Sequence, residues 1–367
     1  MKTNSIKILH IDTGKSWRGG QQQAIYLFNA LHEKGYKTAL VCNPQSPLEK
    51  YCQENNLPLY PISMKGEVDF VAGLKIALIC KKRGYNILHL HSSHALATGL
   101  WAKLFYPKLK LIAVRRVDFD IKKNWFSQYK YNTNKVDKIV CISEAIKKVL
   151  LKNNIPDEKL ITIRSGINIH KFERVKFDEN FKSELKIPEN HIIVGTIAAL
   201  TGHKDYPNLL KAAKIVLQKF ANVTFIALGD GPQKEKIFRL TEAMKLQNNF
   251  VFMGFQKNIG LYLKMFNIFV SASKLEGLGT SILDAQAVGL PIAACKTGGV
   301  PEAVKHNYNG LLVPPGDSVA LAEAISTLVS DEKTRMKYGK NALNFVKKFD
   351  IKNTVKKNIE LYESMLN

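Results

Sequence analysis

"IFVSASKLEGLGTSILDAQAVGLP", residues 268–291, reads as a strand, a turn and a helix in succession. The run IFVSAS is typical of a buried strand, and the glycine-rich segment KLEGLG turns the chain. Thr280 or Ser281 is suited to begin the helix, and Gly289–Pro291 is typical of its end. This unit predicts a parallel sheet whose faces are covered by helices.

The same alternation extends along the chain in two series. The first predicts strands at 6–12, 37–42, 86–92, 109–115 and 138–143, with helices at 20–34, 68–83 and 94–105. The second predicts strands at 191–200, 222–231, 249–255, 268–273, 291–295 and 310–317. A polar, charged stretch at 173–190 separates the two, and the chain beyond Leu321 is predicted to be helical. The fold class predicted is α/β, with two Rossmann-like open parallel sheets and ligands in a cleft between the domains.

Composition excludes several classes of protein. With 46 % hydrophobic and 23 % charged residues and no apolar run of about 18 to 20 residues, the 367-residue chain does not predict a membrane-spanning helix. Its first residues lack the long apolar core of a secretory signal, so a cytoplasmic location is expected. Five cysteines without CxxC spacing predict neither a disulfide framework nor a zinc knuckle, but buried, reduced side chains.

The formal net charge of +23 predicts a polyanionic partner. Residues 1–170 contain 27 basic and 12 acidic residues and so carry +15 of it. Anionic lipid, nucleic acid and phosphorylated substrates all fit this charge, and a merely solvated basic surface is the alternative. The sequence shows no aromatic RNA-binding motif, helix-turn-helix or zinc spacing, so no nucleic acid is expected.

The quoted stretch holds two acids, Glu276 in the turn and Asp284 in the helix. Backbone amides around Gly279, Thr280 and Ser281 predict an anion-binding nest that suits a diphosphate. Because carboxylates repel phosphate, we expect them to bind hydroxyl groups, Glu276 those of a sugar and Asp284 those of a ribose. Asp284 as a partner of the helix dipole is the alternative.

Three further motifs are candidates for phosphate binding. Gly19 and Gly20 precede a predicted helix, Gly229 lies in a GDG turn, and Lys204 stands ahead of a helix beginning near Tyr206. Glycines permit close backbone approach, and a lysine beside a helix start can neutralise a diphosphate. A flexible turn and an ordinary surface lysine are the alternatives.

Histidines 89, 91 and 94 suggest a metal site, since 89 and 91 share one face of a strand. No fourth ligand is near, so no metal is expected. We expect His91 and His94 to contact the acceptor, and satisfied core histidines are the alternative.

The combined motifs resemble a known family. The segments GDGP, FMGF, AVGLPIAACKTGGVPEAV and NGLLVPPGD, together with the turn, are similar to the donor domain of the family 4 retaining glycosyltransferases, which have the GT-B fold. The resemblance covers essentially the whole chain and is strongest over 195–317. It implies an acceptor domain at 1–170, a nucleotide-sugar domain at 171–345, and a last helix at 346–367 that packs back on the first domain.

The resemblance also implies residue roles. Lys204 is expected on the diphosphate, with Gly19 and Gly20 approaching it from the other domain. The expected catalytic residues are Lys204, Glu276, Arg116, His91 and His94. The expected donor-binding residues are Gly19, Gly20, Lys204, Gly229, Met253, Gly254, Phe255, Glu276, Gly277, Leu278, Gly279, Thr280, Ser281 and Asp284, with 253–255 on the base.

Three departures from the family pattern bear on the mechanism. Asp284 stands where the family has Glu, and Ala198–Leu200 stands where it often has Gly-Arg-Leu, so an arginine on the diphosphate is missing. Arg115 and Arg116 stand where many relatives carry a histidine. One of these arginines is expected to supply the missing charge, or the two are expected to bind an anionic acceptor.

The activity implied is transfer of a sugar, with retention, from a nucleotide diphosphate sugar to a glycan or lipid-linked acceptor in envelope polysaccharide or lipopolysaccharide core synthesis. Lysine and arginine clusters at 81–83, 115–116 and 122–123 suggest attachment to the inner face of the cytoplasmic membrane. A GT-B epimerase acting on the nucleotide sugar and a non-catalytic binding protein are the alternatives.

Overall fold

A computed structural model describes residues 5–121, 124–176 and 180–366. The chain divides into two compact units, the first formed by 1–166 with 351–367 and the second by 167–350. Lys122 and Lys123, which belong to a predicted basic cluster, lie outside the described residues.

The first unit is built on a parallel sheet. Its strands, in chain order, are β1 Lys7–Ile11, β2 Lys37–Cys42, β3 Leu59–Pro61, β4 Ile87–Leu90, β5 Lys110–Arg115, β6 Lys138–Cys141 and β7 Leu160–Thr162. They lie in the spatial order β3-β2-β1-β4-β5-β6-β7. The strand residues are almost all buried, as expected for a sheet covered on both faces.

Helices connect the strands of the first unit. They are α1 Gly19–Glu33, α2 Pro47–Glu54, α3 Phe70–Arg83, α4 Ser93–Phe105, α5 Trp125–Asn132, α6 Glu144–Lys152 and, from the end of the chain, α15 Ile351–Leu366. Several begin at a side chain that caps them: Asp69 accepts from the amide of Ala72, and Ser92 from that of Ala95. Right-handed crossovers place α1 and α2 on one face of the sheet and α3 to α6 on the other.

The second unit repeats this plan. Its strands are β8 Ile192–Ile197, β9 Val223–Leu228, β10 Phe250–Phe252, β11 Ile268–Ser271, β12 Ile292–Cys295 and β13 Gly310–Val313. Their spatial order is β10-β9-β8-β11-β12-β13, and all pairs are parallel. The helices are α7 Asn180–Glu184, α8 Tyr206–Lys219, α9 Lys234–Ala243, α10 Ile259–Met265, α11 Thr280–Ala287, α12 Val300–Ala303, α13 Ser318–Ser330 and α14 Glu332–Phe345.

The division between the units differs by a few residues from the expected boundaries at 170 and 346. The chain up to Gly166 is held within the first unit, where Gln23 donates to the Gly166 carbonyl (2.7 Å) and Thr354 to that of Arg164 (2.8 Å). Residues 346–350 belong to the second unit, since the amide of Ile167 donates to the carbonyl of Phe349 (2.9 Å). Helix α15 lies in the first unit, in contact with α1.

All five cysteines are buried and unpaired, as expected. Burial raises the pKa of each thiol: to about 12 for Cys52, Cys80 and Cys141, and to about 11 for Cys42 and Cys295. Across the described ranges of the chain, no helix combines the length and the apolar character that a membrane crossing requires.

Candidate active site

Several of the predicted site residues lie where the strand order of a sheet reverses, whereas Gly229 and 253–255 follow the neighbouring strands β9 and β10. In the second unit the reversal lies between β8 and β11, and in the first between β1 and β4. Ligands of open parallel sheets bind outside the carboxyl ends of the strands at such a switch point. The chain leaving β8 leads to Lys204, and the chain leaving β11 leads to Glu276.

Lys204 and Glu276 form an ion pair in the second unit. Lys204 ends the short 3-10 helix Gly202–Lys204, and both side chains are largely buried. Ser273 also donates to the Glu276 carboxylate (3.3 Å), and the Glu276 carbonyl accepts from the amide of Gly299 (3.0 Å). The predicted sugar-binding acid and diphosphate-binding lysine therefore meet directly.

The start of α11 lies beside this pair. Gly279 adopts a left-handed conformation (φ 87°), which glycine tolerates best, and a β-carbon there would lie 3.6 Å from Cγ of Glu276. No side chain caps the helix, so the first amides, at Thr280 and Ser281, point towards the sheet edge without a capping group. The predicted anion nest consists of these amides and that of Gly279, and Gly277 and Leu278, which are predicted to bind the donor, lie in the preceding turn.

Asp284 is held by an ion pair that the sequence did not suggest. The amine of Lys171 lies 2.8 Å from Oδ1 of Asp284. Burial raises the pKa of Asp284 above its ordinary value, and the charge of Lys171 opposes that increase. Lys171 therefore favours the charged carboxylate that the ribose role requires.

The GDG turn and the segment 253–255 are tied to the end of β8. A β-carbon on Gly229, which has φ 137°, would lie 2.1 Å from the carbonyl oxygen of Ala198, so a larger residue would not fit at this position. The amide of Gly229 donates to the carbonyl of Gly254 (2.8 Å), and the amide of Met253 to that of Ala227 (3.0 Å). Phe255 is exposed. These contacts tie the segment 253–255, on which base recognition is predicted, to the ends of β9 and β8.

The switch point of the first unit contains a chain of hydrogen bonds that begins at Arg116. The Arg116 guanidinium donates to Nδ1 of His91 (3.1 Å), and Nε2 of His91 lies 2.9 Å from Nδ1 of His10. Because a guanidinium only donates, His91 carries its proton on Nε2 and donates to His10, whose proton is then on Nε2. The Nε2 atom of His10 is buried and has no partner among the described residues.

Three imidazole rings stack in this cluster. The ring centroids of His89 and His91 are 4.5 Å apart, and the two ring planes differ by 8°. The ring centroid of His10 lies 5.4 Å from that of His89 and 5.2 Å from that of His91. His89 also bonds the hydroxyl of Tyr362 on α15 (2.5 Å). Burial lowers the pKa of all three, to about 3 for His10. The rings are therefore neutral, and the charge of the cluster lies on Arg116, whose pKa burial lowers to about 10.

Arg116 lies against the first turn of α1. A β-carbon added to Gly20 would lie 3.5 Å from Cδ of Arg116. Gly19 and Gly20 were predicted to precede the helix, but they are its first two residues, because the chain already turns helical after Arg18 and no side chain caps α1. Their amides still face the end of β1, where buried Asp12 accepts from the amide of Gly14 (2.7 Å) and from the side chain of Gln21 (2.9 Å).

Three residues of this unit for which an acceptor contact is predicted have different surroundings. His91 is buried in the histidine stack. His94 is apart from the stack and exposed, 3.9 Å from a carboxylate oxygen of Glu67. Arg115 points to the opposite face from Arg116, as neighbouring strand residues do, and its guanidinium donates to Tyr131 and to the carbonyl of Phe119. Among the described residues, no group of three or more His, Cys, Asp or Glu side chains is placed to hold a metal ion.

Sequence reasoning missed His10, Asp12, Tyr362 and Lys171. A signal existed for the first two, because the alternation HID at the end of β1 parallels HLH in β4, and His10 pairs with His89 in the sheet. Tyr362 and Lys171 are far along the chain from their partners and carried no local signal.

Comparison with known proteins identifies the family. The model of Glycosyltransferase Family 4 matches residues 17–171, and that of Glycosyl transferases group 1 matches 177–345. An uncharacterized glycosyltransferase of Methanocaldococcus jannaschii is 30 % identical over 292 residues, covering 75 % of this chain and 73 % of that protein. The chain belongs to glycosyltransferase family 4.

Two further similarities support the assignment to this family and its fold. The UDP-Gal:alpha-D-GlcNAc-diphosphoundecaprenol alpha-1,3-galactosyltransferase of Escherichia coli is 23 % identical over 380 residues, covering 99 % of this chain and 98 % of that protein. The crystal structure of HepE from Anabaena, in complex with UDP-glucose, superimposes with a TM-score of 0.86 at 20 % identity, covering 98 % and 100 % of the two chains. The predicted GT-B fold, with two Rossmann-like parallel-sheet domains, is confirmed.

Proposed function

We propose that this glycosyltransferase moves a sugar, with retention, from a nucleotide diphosphate sugar to a glycan or lipid-linked acceptor in envelope polysaccharide or lipopolysaccharide core synthesis, at the inner face of the cytoplasmic membrane. The observation that carries the proposal is the ion pair of Lys204 and Glu276 at a sheet switch point, beside the uncapped start of α11. One cation, one hydroxyl-binding acid and one anion nest lie together, and an activated sugar presents the complementary groups.

Donor binding would exchange the partners within this pair. The Lys204 amine would move from Glu276 to a diphosphate oxygen, with the amides of Thr280 and Ser281 on a second oxygen. Glu276 would then accept from hydroxyls of the transferred sugar. Asp284, kept charged by Lys171, would accept from the ribose, and the segment 253–255 would contact the base.

The chemical step we propose needs no covalent enzyme intermediate. The acceptor oxygen bonds to the anomeric carbon on the face from which the diphosphate leaves, while the bond from that carbon to the phosphate oxygen breaks. The proton of the acceptor hydroxyl passes to an oxygen of the departing diphosphate. Fixed positive charge from Lys204 and the α11 amides stabilises the developing negative charge, and for that reason we propose that no divalent ion is required.

The first unit would bind an anionic group of the acceptor. Arg116 is held at the start of α1, and its Nε atom is buried without a partner among the described residues. A guanidinium beside uncapped helix amides suits a phosphate. The E. coli relative acts on a diphosphate-linked lipid, and this supports a phosphorylated acceptor here.

Mass spectrometry of the protein incubated with nucleotide sugars and a membrane extract tests the proposal. UDP-sugars are the first donors to try, because UDP-glucose is bound in the HepE structure. We expect one donor to give a glycosylated lipid or glycan, with turnover unchanged by EDTA and the donor's anomeric configuration kept in the product. Glu276→Gln should remove turnover, whereas Glu235→Gln on the exposed surface of α9 should not. A product formed from donor alone, without acceptor, would instead favour an epimerase.

A further inference from the structure

Helix α3 of the first unit exposes an apolar stripe. Phe70, Val71, Leu74 and Leu78 are 56, 47, 39 and 58 % exposed, and Val68, just before the helix, is 73 % exposed. At about 100° per residue the four helical positions fall within an arc of about 100°. A soluble helix normally places charged or polar residues on its outward face. The outward face of α3 is apolar over its first nine residues.

The opposite side of α3 is already used by the core. Ala72, Gly73, Ile76, Ala77 and Cys80 are buried, and Gly73 lies against Trp101 of α4. The outward stripe is therefore not a second core face that a small rotation of the helix would bury.

Basic residues complete this outward face. Helix α3 contains Lys75, Lys81, Lys82 and Arg83 and no acidic residue, and all four are exposed. Lys81 and Lys82 follow the apolar positions at the C-terminal end of the same outward arc. The stripe is thus apolar at its first turns and strongly positive at its last.

Helix α5, on the same side of the sheet as α3, also exposes aromatic residues. The carboxylate of Glu67, three residues before Phe70, binds Lys130 of α5. On α5, Trp125 is 76 % exposed and stacks on Tyr129 at 5.4 Å. Tryptophan and tyrosine are the residues enriched at the level of lipid headgroups.

The exposed apolar residues of the first unit are confined to one side of its sheet. Across the described residues of 5–166, the large apolar side chains that are exposed lie on α3 to α6 or in the segments beside them, and the α1 and α2 face has none. They are Val68, Phe70, Val71, Leu74, Leu78, Leu104, Phe105, Phe119, Trp125, Tyr129 and Leu151. Apolar residues scattered at random over a surface would not segregate in this way.

We propose that the α3 face, defined as residues 68–83 together with Trp125 and Tyr129, docks on an anionic lipid bilayer. The apolar stripe and the Trp125–Tyr129 pair enter the headgroup region, and the basic residues of α3 bind anionic headgroups. This deepens the membrane location in the proposed function by naming the surface that makes the contact.

A second copy of the chain is a poorer occupant of the α3 face. In a two-fold interface built on α3, the basic residues at its C-terminal end would meet either the same residues of the other copy or its apolar first turns, and the nearest acid, Asp69, already caps the helix. An anionic bilayer satisfies both the apolar and the positive part of the face.

Co-sedimentation of the full chain with vesicles tests the proposal. Vesicles of phosphatidylcholine alone are compared with vesicles of phosphatidylcholine and phosphatidylglycerol, at low and high salt. We expect binding to the anionic vesicles, weakened by salt but not abolished, because the apolar part of the contact is not screened. Equal binding to both vesicle types, or binding to neither, would overturn the proposal.

Matched variants assign the binding to α3. Leu74→Ser with Leu78→Ser should lower the partition coefficient about tenfold, which corresponds to about 1.4 kcal/mol. Removing three charges with Lys81→Ala, Lys82→Ala and Arg83→Ala should lower it by about ten- to a hundredfold and reduce its salt dependence. The controls change exposed residues of the second unit, Val319→Ser with Met336→Ser and the triple alanine change at Lys211, Lys214 and Lys219. Equal losses in variants and controls would show that the α3 face is not the contact.

Two additional measurements separate the remaining outcomes. Sedimentation velocity without lipid should show the same association state for the wild type and the α3 variants. If the wild type is a dimer and the Leu74→Ser, Leu78→Ser variant is a monomer, a second copy of the chain and not a bilayer occupies the α3 face. Turnover with a short soluble acceptor should be unchanged in the α3 variants, and a wild type that turns over donor without binding anionic vesicles would refute the α3 face alone. Vesicle binding without turnover of any donor would refute the transferase proposal alone.

Discussion

The two switch points use opposite arrangements of charge. In the second unit, Lys204 is neutralised by Glu276, so cation and anion lie in direct contact. In the first unit, Arg116 is held by neutral His91, and the nearby carboxylate of Asp12 is bound to Gly14 and Gln21 instead. A ligand of the second site would have to break an ion pair, whereas in the first no carboxylate of the described residues forms an ion pair with Arg116.

The two arrangements of charge suit different ligands. A paired site binds a ligand that carries both an anion and hydroxyl groups, because each partner of the broken pair finds a new one. A cation held by neutral rings keeps its charge for an anion alone.

Loss of Lys204 should have the largest effect. Lys204→Ala removes the charge on the leaving diphosphate, and kcat/KM should fall by about a thousandfold. Steady-state kinetics at saturating acceptor measures it. Lys274→Ala is the control, because Lys274 pairs with Asp205 on the same side of the sheet, 3.1 Å away. A fall below tenfold in Lys204→Ala would contradict the assigned role.

Arg116 and Arg115 should separate activity from stability. Arg116→Ala should lower kcat/KM by about a hundredfold with the fold intact, because the anion loses its guanidinium. Arg115→Ala should leave the kinetics of the folded fraction unchanged and lower the free energy of unfolding by about 1–3 kcal/mol, since Tyr131 and Phe119 lose their partner. If Arg116→Ala left turnover unchanged while Lys204→Ala abolished it, the first switch point would have no part in the reaction.

The role of Lys171 can be measured by a double-mutant cycle. Lys171→Met should raise the KM for the donor by about three- to tenfold, because the pKa of Asp284 rises further when the opposing charge of Lys171 is removed. Asp284→Asn should have a similar effect. The double variant should be no worse than either single one, and additive effects would show that the two residues act independently.

The smallest expected effect is a pH dependence of stability from the histidine stack. The pKa values of His10, His89 and His91 are lowered in the folded state, so acid favours the unfolded state, which binds the protons. Their contribution is complete above about pH 6.5 and is lost as the pH falls below it, by at most about 1.4 kcal/mol per histidine for each pH unit.

Tryptophan fluorescence can follow this in the first unit alone. All three tryptophans, Trp17, Trp101 and Trp125, lie in that unit. Urea unfolding gives the free energy of unfolding at pH 5.5 and at pH 7.5. The difference between these two values should be smaller in His91→Phe than in the wild type, by at most about 1.4 kcal/mol, because one histidine fewer takes up a proton on unfolding. An unchanged difference would mean that His91 is protonated in the folded state.

The strand-turn-helix alternation predicted most of both sheets and the positions of Lys204, Glu276 and Asp284. These succeeded because apolar periodicity and glycine-rich turns are local properties of the chain. The short strand Leu59–Pro61 and the helix Trp125–Asn132 carried too little periodicity to be predicted. The Lys171–Asp284 pair and the Tyr362–His89 contact escaped because they join residues far apart in sequence, and only the folded chain brings them together.

The buried thiols have a practical consequence for studying this enzyme. A thiol that is enclosed and holds its proton at neutral pH reacts slowly with maleimides, which attack the thiolate. A single cysteine introduced on the solvent side, for example Lys82→Cys, should therefore be labelled selectively in the intact protein without removing the native ones. A fluorophore attached there would report directly on the polarity that this surface meets.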